Sequence, residues 1–194
     1  MGATQLFWII PGYLLGSIPF GLLLTRMIGI DIRSVGSGNI GTTNVLRTGN
    51  KGLAAATLLL DVGKGALAVL LARHFAGDGA GMLAGMAAFI GHCYPVGLKF
   101  RGGKGVATLL GVALAAVPLA GVAALVTWLL GALLTRHSSV GGMAAAVAAP
   151  VVAWALGQPH AALSLAAMAA LLIFKHRENI ARLRAGTESR IGAK

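Results

Sequence analysis

Acidic residues are scarce in this chain. Five Asp and Glu stand against sixteen Lys and Arg in 194 residues. A catalytic design built on two carboxylates, as in glycoside hydrolysis, is therefore a poor fit. Cysteine is scarcer still. Cys93 stands alone, which excludes an intrachain disulfide and leaves no cluster with metal-site spacing. It reads as a buried apolar filler. No H-E-x-x-H string occurs, and no H-x-x-x-x-D, since His74 and Asp78 are one residue too close. That argues against a zinc hydrolase and against acyltransferases built on a His-Asp dyad. The opening MGATQLFWII has no positive n-region, so no secretory signal is expected. Leu6 stands where a myristoylation string needs Ser or Thr. No internal repeat, linker or low-complexity segment is evident.

Charge is thin overall, at 11% of residues, where a soluble domain carries about 25%. What fills the chain is apolar: 57% hydrophobic residues and a mean hydropathy of +0.82. The apolar runs span roughly 5–25, 52–72, 80–98, 105–135, 139–157 and 159–174. A run near twenty residues matches a hydrocarbon core of about 30 Å at about 1.5 Å per residue. The run 105–135 would reach about 46 Å as one helix, too long for an untilted crossing. Pro118 lies near its middle. A kink there gives six spans; a re-entry gives seven.

The basic residues decide the parity. With seven spans and the N-terminus outside, the inner loops hold Arg26, Arg33, Arg47 and Lys51, then Lys99, Arg101 and Lys104, then Arg136. The inner tail holds Lys175, Arg177, Arg182, Arg184, Arg190 and Lys194. Only Arg73 falls outside, and Lys64 lies within a span. Positive residues gather on the cytoplasmic side of membrane proteins, so seven is the expectation. The net charge of +11 then reads as attraction to anionic membrane lipids. Nucleic-acid binding is not expected, because no basic soluble domain is present. The chain is read as all-α, a polytopic membrane protein of seven transmembrane helices with a cytoplasmic C-terminus, forming one domain over 1–194.

Three Gly-rich polar stretches interrupt the apolar runs: Gly36 to Gly49, Gly91 to Gly105 and Thr135 to Gly142. In the expected topology all three face the cytoplasm. The second, fourth and sixth helices start there, with N–H groups and positive dipole ends that favour anions. Ser138 and Ser139 suit the N-cap of the sixth. Gly36-Ser37-Gly38-Asn39-Ile40-Gly41 matches a dinucleotide fingerprint, but no strand precedes it and no βαβ unit follows. What remains is a donor-rich loop of Ser37, Asn39, Thr42, Thr43 and Asn44, with Arg47 one turn on. Gly102-Gly103-Lys104-Gly105 resembles a phosphate-loop tail. It is not one, because Leu98 replaces the required glycine and Gly105 the Ser or Thr. Flanking glycines clear backbone from the Lys104 ammonium, which favours a site over an interfacial cation.

Asp61 and Lys64 are one helical turn apart inside an apolar run. Ionisable groups at that depth are costly unless paired, and a structural ion pair facing the bundle is expected. His92, His137 and His176 lie near the polar stretches, whereas His74 and His160 fall in outer loops. Gly12-x-x-x-Gly16 and Gly81-x-x-x-Gly85 suit close helix packing. Pro11 and Pro19 are expected to bend or open the first span.

SGNIGTTNVLRTG, GHCYPVGLKFRGGKGVAT and KHRENIARLRAGTE resemble the three signature regions of the bacterial acyl-phosphate-dependent glycerol-3-phosphate acyltransferases. The lengths between these regions fit as well. The resemblance implies an enzyme of the bacterial cytoplasmic (inner) membrane with its active site facing the cytoplasm. Its substrates would be acyl phosphate and glycerol 3-phosphate, its products lysophosphatidic acid and phosphate, the first step of phospholipid synthesis. It places Ser37, Asn39, Thr42, Thr43 and Arg47 around phosphate, brings in His92 and Lys104, and matches Ser138 and Ser139 to a further phosphate-contacting element. His176 and Asn179 would contact the glycerol phosphate. Lys104, Arg47 and His176 are the candidates for catalysis. No metal or cofactor is implied. A transporter for an anionic metabolite is the rival from another class, but the polar loops gather on one side and no inverted repeat is visible.

Overall fold

The computed structural model describes residues 2–192; Lys194, counted above in the inner tail, lies outside the described residues. Among the described residues there are ten α-helices, two short 3-10 turns and no strand. The helices are α1 (Ala3–Phe7), α2 (Ile9–Gly16), α3 (Phe20–Arg26), α4 (Thr42–Leu46), α5 (Lys51–Cys93), α6 (Val106–Ala116), α7 (Pro118–Thr135), α8 (Ser138–Ala155), α9 (Pro159–Lys175) and α10 (Arg177–Arg184). The chain forms two compact units, Met1–Val112 and Ala113–Lys194.

In the first unit, α5 is a hairpin. Gly77 has φ +82° and ψ 178°, a conformation that only glycine adopts freely. A Cβ built on Gly81 would lie 3.0 Å from the Val69 carbonyl oxygen. Twelve residues of straight helix would separate these positions by about 18 Å, so the chain doubles back at Gly77. The runs 52–72 and 80–98 are its two arms. The α2 helix packs on the second arm, where a Cβ at Gly12 would sit 2.5 Å from the Ala84 carbonyl oxygen and one at Gly16 would strike Ala88. Gly85 sits against Val69 as Gly81 does. Both G-x-x-x-G pairs thus serve close packing.

Pro19 opens the first apolar run as expected, between α2 and α3. Pro11 does not, because it lies in the first turn of α2, where its missing N–H would have had no intrahelical partner. The second break in that run falls at Trp8 instead. In the second unit the chain reverses near Pro118. A Cβ on Gly121 would press against the Leu114 backbone, and seven residues of continuous helix would hold these about 10 Å apart. The α7–α8 contact is equally tight, with Gly131 against Gly141.

The distribution of side chains inverts that of a soluble protein. The buried positions are crowded with alanine: Ala68, Ala72, Ala80, Ala84 and Ala88 form one cluster. Large apolar residues point outward, with Leu134 82% exposed and Leu59, Leu133 and Leu163 also exposed. Small residues let helices approach where lipid, not water, is the solvent. Among the described residues, four helical stretches are long and apolar enough to cross a membrane: Thr4–Arg26, Lys51–Leu98, Pro118–Thr135 and Ser138–Ala155. A fifth joins α9 and α10 across a 55° bend, and α6 is a shorter apolar helix.

Candidate active site

The first unit carries two donor-rich loops. In the first, Gly36 and Gly38 take left-handed backbone and turn the chain toward α4. Asn44, only 2% exposed, holds this loop together. Its Oδ1 accepts from the Ser37 N–H at 3.1 Å, the Ser37 hydroxyl at 3.3 Å and the Arg47 guanidinium at 3.3 Å. Its Nδ2 donates to the carbonyls of Ile32 at 3.0 Å and Val35 at 2.9 Å. Both amide protons thus go to backbone, so Asn44 is the frame of the loop rather than one of its free donors. Asn39 turns its Oδ1 onto the Gly41 N–H at 2.9 Å. Ser37 and Arg47 are exposed, and Thr42 and Thr43 half-buried. The Thr42 hydroxyl oxygen is buried without a hydrogen-bond partner in the protein, at the first residue of α4.

The second loop leaves the end of α5. Tyr13 donates its hydroxyl to the Tyr94 carbonyl at 2.8 Å. Lys99 and Phe100 then hold left-handed backbone, φ +50° and +62°, which is uncommon outside glycine. Gly102 and Gly103 donate N–H to the carbonyls of Cys93 and His92, at 3.2 and 3.0 Å. Gly103 lies so close to the His92 ring that a Cβ there would overlap Nε2. Gly105, at φ +92°, presses likewise on the Phe89 ring. Lys104, half-buried, is therefore carried on backbone with no room to shift. The Leu109 N–H returns to the Gly105 carbonyl at 2.8 Å, which starts α6.

The second unit is organised around Glu188. Its Oε1 accepts from the Ser139 hydroxyl at 2.7 Å and the Asn179 amide at 2.5 Å, and its Oε2 from Arg182 Nε at 2.7 Å. Burial pushes this carboxyl up, but the donors from Asn179, Ser139 and Arg182 outweigh it and hold it below its ordinary value. The tail is fastened further along. Ile191 N–H donates to the Arg136 carbonyl at 2.7 Å, and His137 Nδ1 lies 3.4 Å from the Ser189 carbonyl. Neither Ser138 nor Ser139 is the N-cap of α8. That position is His137, and Ser139 turns to Glu188 instead. His176 is 3% exposed at the bend between α9 and α10, with Nδ1 2.9 Å from the Leu172 carbonyl. A carbonyl only accepts, so Nδ1 carries a proton.

Sequence reasoning placed the donors but not what holds them. Asp61 and Lys64 do form a buried pair, 2.7 Å apart. The stacking of His92 on Gly103 and the gathering of Ser139 and Asn179 on Glu188 were not foreseen. Glu188 ends the third signature stretch, where Glu178 is a second acid, so no local signal singled it out.

These features define an integral membrane protein with donor-rich loops beside its apolar helices. The sequence profile of the glycerol-3-phosphate acyltransferases matches residues 6–186. The glycerol-3-phosphate acyltransferase of Ruegeria sp. is 60% identical over 190 residues, which cover 97% of this chain and 94% of that protein. That of Nitrobacter winogradskyi is 58% identical over 184 residues, 94% of each. The solved structure of PlsY, an integral membrane glycerol 3-phosphate acyltransferase, in its glycerol 3-phosphate form superposes with a TM-score of 0.93. Identity is 39%, with 98% of this chain and 96% of that one covered. The lysophosphatidic acid form gives 0.91 at 38% identity, over the same shares of the two chains. The chain belongs to the glycerol-3-phosphate acyltransferase family and is a membrane acyltransferase.

Proposed function

We propose that the chain transfers a fatty acyl group from acyl phosphate to the 1-hydroxyl of sn-glycerol 3-phosphate. The products are lysophosphatidic acid and inorganic phosphate. The observation that carries this reading is the Lys104 loop: a cation on glycine backbone, pinned by two hydrogen bonds and two rings. That construction suits a point charge held where anionic charge develops. The glycerol 3-phosphate and lysophosphatidic acid forms of the solved relative support the acceptor and the product.

Acyl phosphate is already activated, so no protein nucleophile is required. The glycerol hydroxyl oxygen attacks the carbonyl carbon, the bond from that carbon to the phosphate oxygen breaks, and phosphate leaves. The task is approximation of two anions, which supplies several kcal/mol when well oriented (roughly 7–11 in the best cases). In the first unit, Arg47 grips a phosphate bidentately, with Ser37, Asn39, Thr42, Thr43 and His92 as further ligands. Lys104 neutralises the leaving phosphate. In the second unit, Ser138 and Asn179 bind phosphate and glycerol oxygens, and Ser139, whose proton goes to Glu188, accepts from a glycerol hydroxyl. His176 offers Nε2 to the hydroxyl proton, with a substrate phosphate oxygen as the other acceptor.

The topology proposed with this reaction is seven spans in the bacterial inner membrane. They are 4–26, the two arms of α5, then α6, α7, α8 and α9. The N-terminus is outside and the donor loops face the cytoplasm, where a soluble phosphorylated acceptor is supplied. The chain 1–194 is read as one acyltransferase domain. The purified protein, given acyl phosphate and glycerol 3-phosphate, is expected to yield lysophosphatidic acid and phosphate in equal amounts by mass spectrometry. No product with these two substrates overturns the reading. A trapped acyl-serine or acyl-cysteine overturns direct transfer.

A further inference from the structure

Two buried charges of the first unit, Asp61 and Lys64, have no part in the reaction as proposed, although they lie beside His92, which has one. The Asp61 and Lys64 side chains are 3% and 1% exposed. Asp61 Oδ1 lies 2.7 Å from Lys64 Nζ and 3.6 Å from His92 Nδ1. Both are ion-pair contacts without hydrogen-bond alignment, the second only when the imidazole is protonated. Lys64 is tied elsewhere as well. Its ammonium donates to the Ile18 carbonyl at 2.8 Å, at the break made by Pro19, and lies 5.7 Å from the Phe20 ring centre. Lys64 alone is enough to neutralise Asp61. The contact that Asp61 makes with His92 therefore needs its own reason.

His92 looks two ways. Its Nδ1 edge faces Asp61, and its Nε2 edge meets Gly103. Its own carbonyl accepts the Gly103 N–H. The outer torsion of histidine has broad, roughly two-fold wells, so what the ring nitrogens meet sets its orientation. A ring turned away from Asp61 moves the surface on which Gly103 rests. Lys104 is the next residue, and a misplacement near 1 Å is enough to cost about 10²-fold in rate.

We propose that Asp61 is a positioning residue for acyl transfer: it orients the His92 ring and, through it, holds the Gly102–Gly105 loop that carries Lys104. Lys64 balances the Asp61 charge and fastens the pair to the break in the first span. The inference rests on the reading of Lys104 as the group that meets the leaving phosphate.

A kinetic double-mutant cycle on the purified full-length protein, assayed with acyl phosphate and glycerol 3-phosphate, tests it. Asp61→Asn alone would leave a buried ammonium unpaired, so it is made together with Lys64→Met. This charge-free pair is expected to melt near wild type while kcat falls about 10-fold and KM for glycerol 3-phosphate changes less than about threefold. His92→Gln, with Asp61 and Lys64 intact, is expected to cost about the same. Adding it to the charge-free pair is expected to lower kcat by less than about twofold further, because both changes break one chain of contacts. An unchanged kcat in the charge-free pair overturns the proposal, and so do losses that multiply to about 10². Should that pair not fold, Asp61→Glu decides, since it keeps Lys64 matched and shifts the carboxylate by one methylene. A fall in kcat at unchanged melting supports the proposal, and an unchanged kcat removes it. A wild-type protein that makes no lysophosphatidic acid refutes the function itself, whereas an active wild type with a failed cycle refutes only this inference.

Discussion

The loop around Lys104 and the cluster around Glu188 both hold donors in place, by opposite means. Around Lys104 the chain uses backbone. Gly102 and Gly103 reach the carbonyls of Cys93 and His92, and the rings of His92 and Phe89 fill the space where side chains would be. Around Glu188 it uses a charge. One carboxylate collects a hydroxyl, an amide and a guanidinium that arrive from α8 and α10. The first arrangement has no tolerance for volume. The second accepts volume more readily but requires an ionised acid. Mutations and pH should therefore separate the two regions.

The largest effect is expected where the reaction's own charge is removed. Lys104→Ala and Arg47→Ala should each lower turnover by about 10² or more if they meet transition-state charge. Lys104→Arg should restore little, because a planar fork does not replace a compact ammonium. Near wild-type turnover in either alanine variant takes that residue out of the site.

A single added methyl probes the backbone arrangement. Gly103→Ala places a Cβ on the His92 ring, and ring or loop must move. Turnover should fall about 10- to 10²-fold while the protein still elutes as a folded species in detergent. Gly63→Ala, where a Cβ meets nothing within 4 Å, is the matched control with little change expected. Equal behaviour of the two would mean that the loop is loose, and the contrast drawn above would fail.

Removing the charge at Glu188 probes the other arrangement. Glu188→Gln keeps the shape but puts an amide donor among three donors. Hydrogen bonds to a charged group contribute about 1.5–3 kcal/mol each, so the loss of one should lower melting by about 3–12 °C for a chain of this size. The pH dependence has a fixed sign. The folded-state carboxyl is held below its ordinary 4.5, so its stabilisation is complete above that value. It is lost as pH falls through the lowered one. The melting difference between wild type and Glu188→Gln should be constant near neutrality and shrink below about pH 4.5. A gap that instead narrows with rising pH contradicts the assignment of Glu188 as an ionised anchor.

Much of this was legible in the sequence because apolar runs and glycine stretches are local signals. The helical spans 139–157 and 159–174 appear as α8 and α9 within a residue or two, and the reversal near Pro118 follows from the length of its run together with the placement of the basic residues. What the sequence hid is long-range. Glu188 meets Ser139 across 49 residues, and nothing in its neighbourhood marks it as a hub. Gly103 meets His92 through the fold of one loop, and a glycine looks alike whether it frees a chain or is confined by a ring. Asn44 misled for a related reason: an exposed-looking amide in a polar loop is indistinguishable from one whose protons are already taken by Ile32 and Val35.

The smallest effect is expected at Asp31, which has the appearance of an anchor without its setting. Arg33 donates to it through Nε at 3.0 Å, through Nη2 at 2.8 Å and through its backbone N–H at 3.1 Å. The Arg33 side-chain hydrogen bond, then its N–H, lower the Asp31 carboxyl to about 2. The pair thus persists down to a pH near that value. Yet both side chains are exposed, at 45% and 49%, where water and salt screen the attraction and ion pairs contribute little. Asp31→Asn should leave turnover within about twofold of wild type, even though the residue caps the turn that leads into Ser37. Salt should matter as little, since raising it screens a contact that was already weak. A fall in melting as large as that expected for Glu188→Gln would show that the geometry of a charge, not its burial, decides which acids this protein relies on.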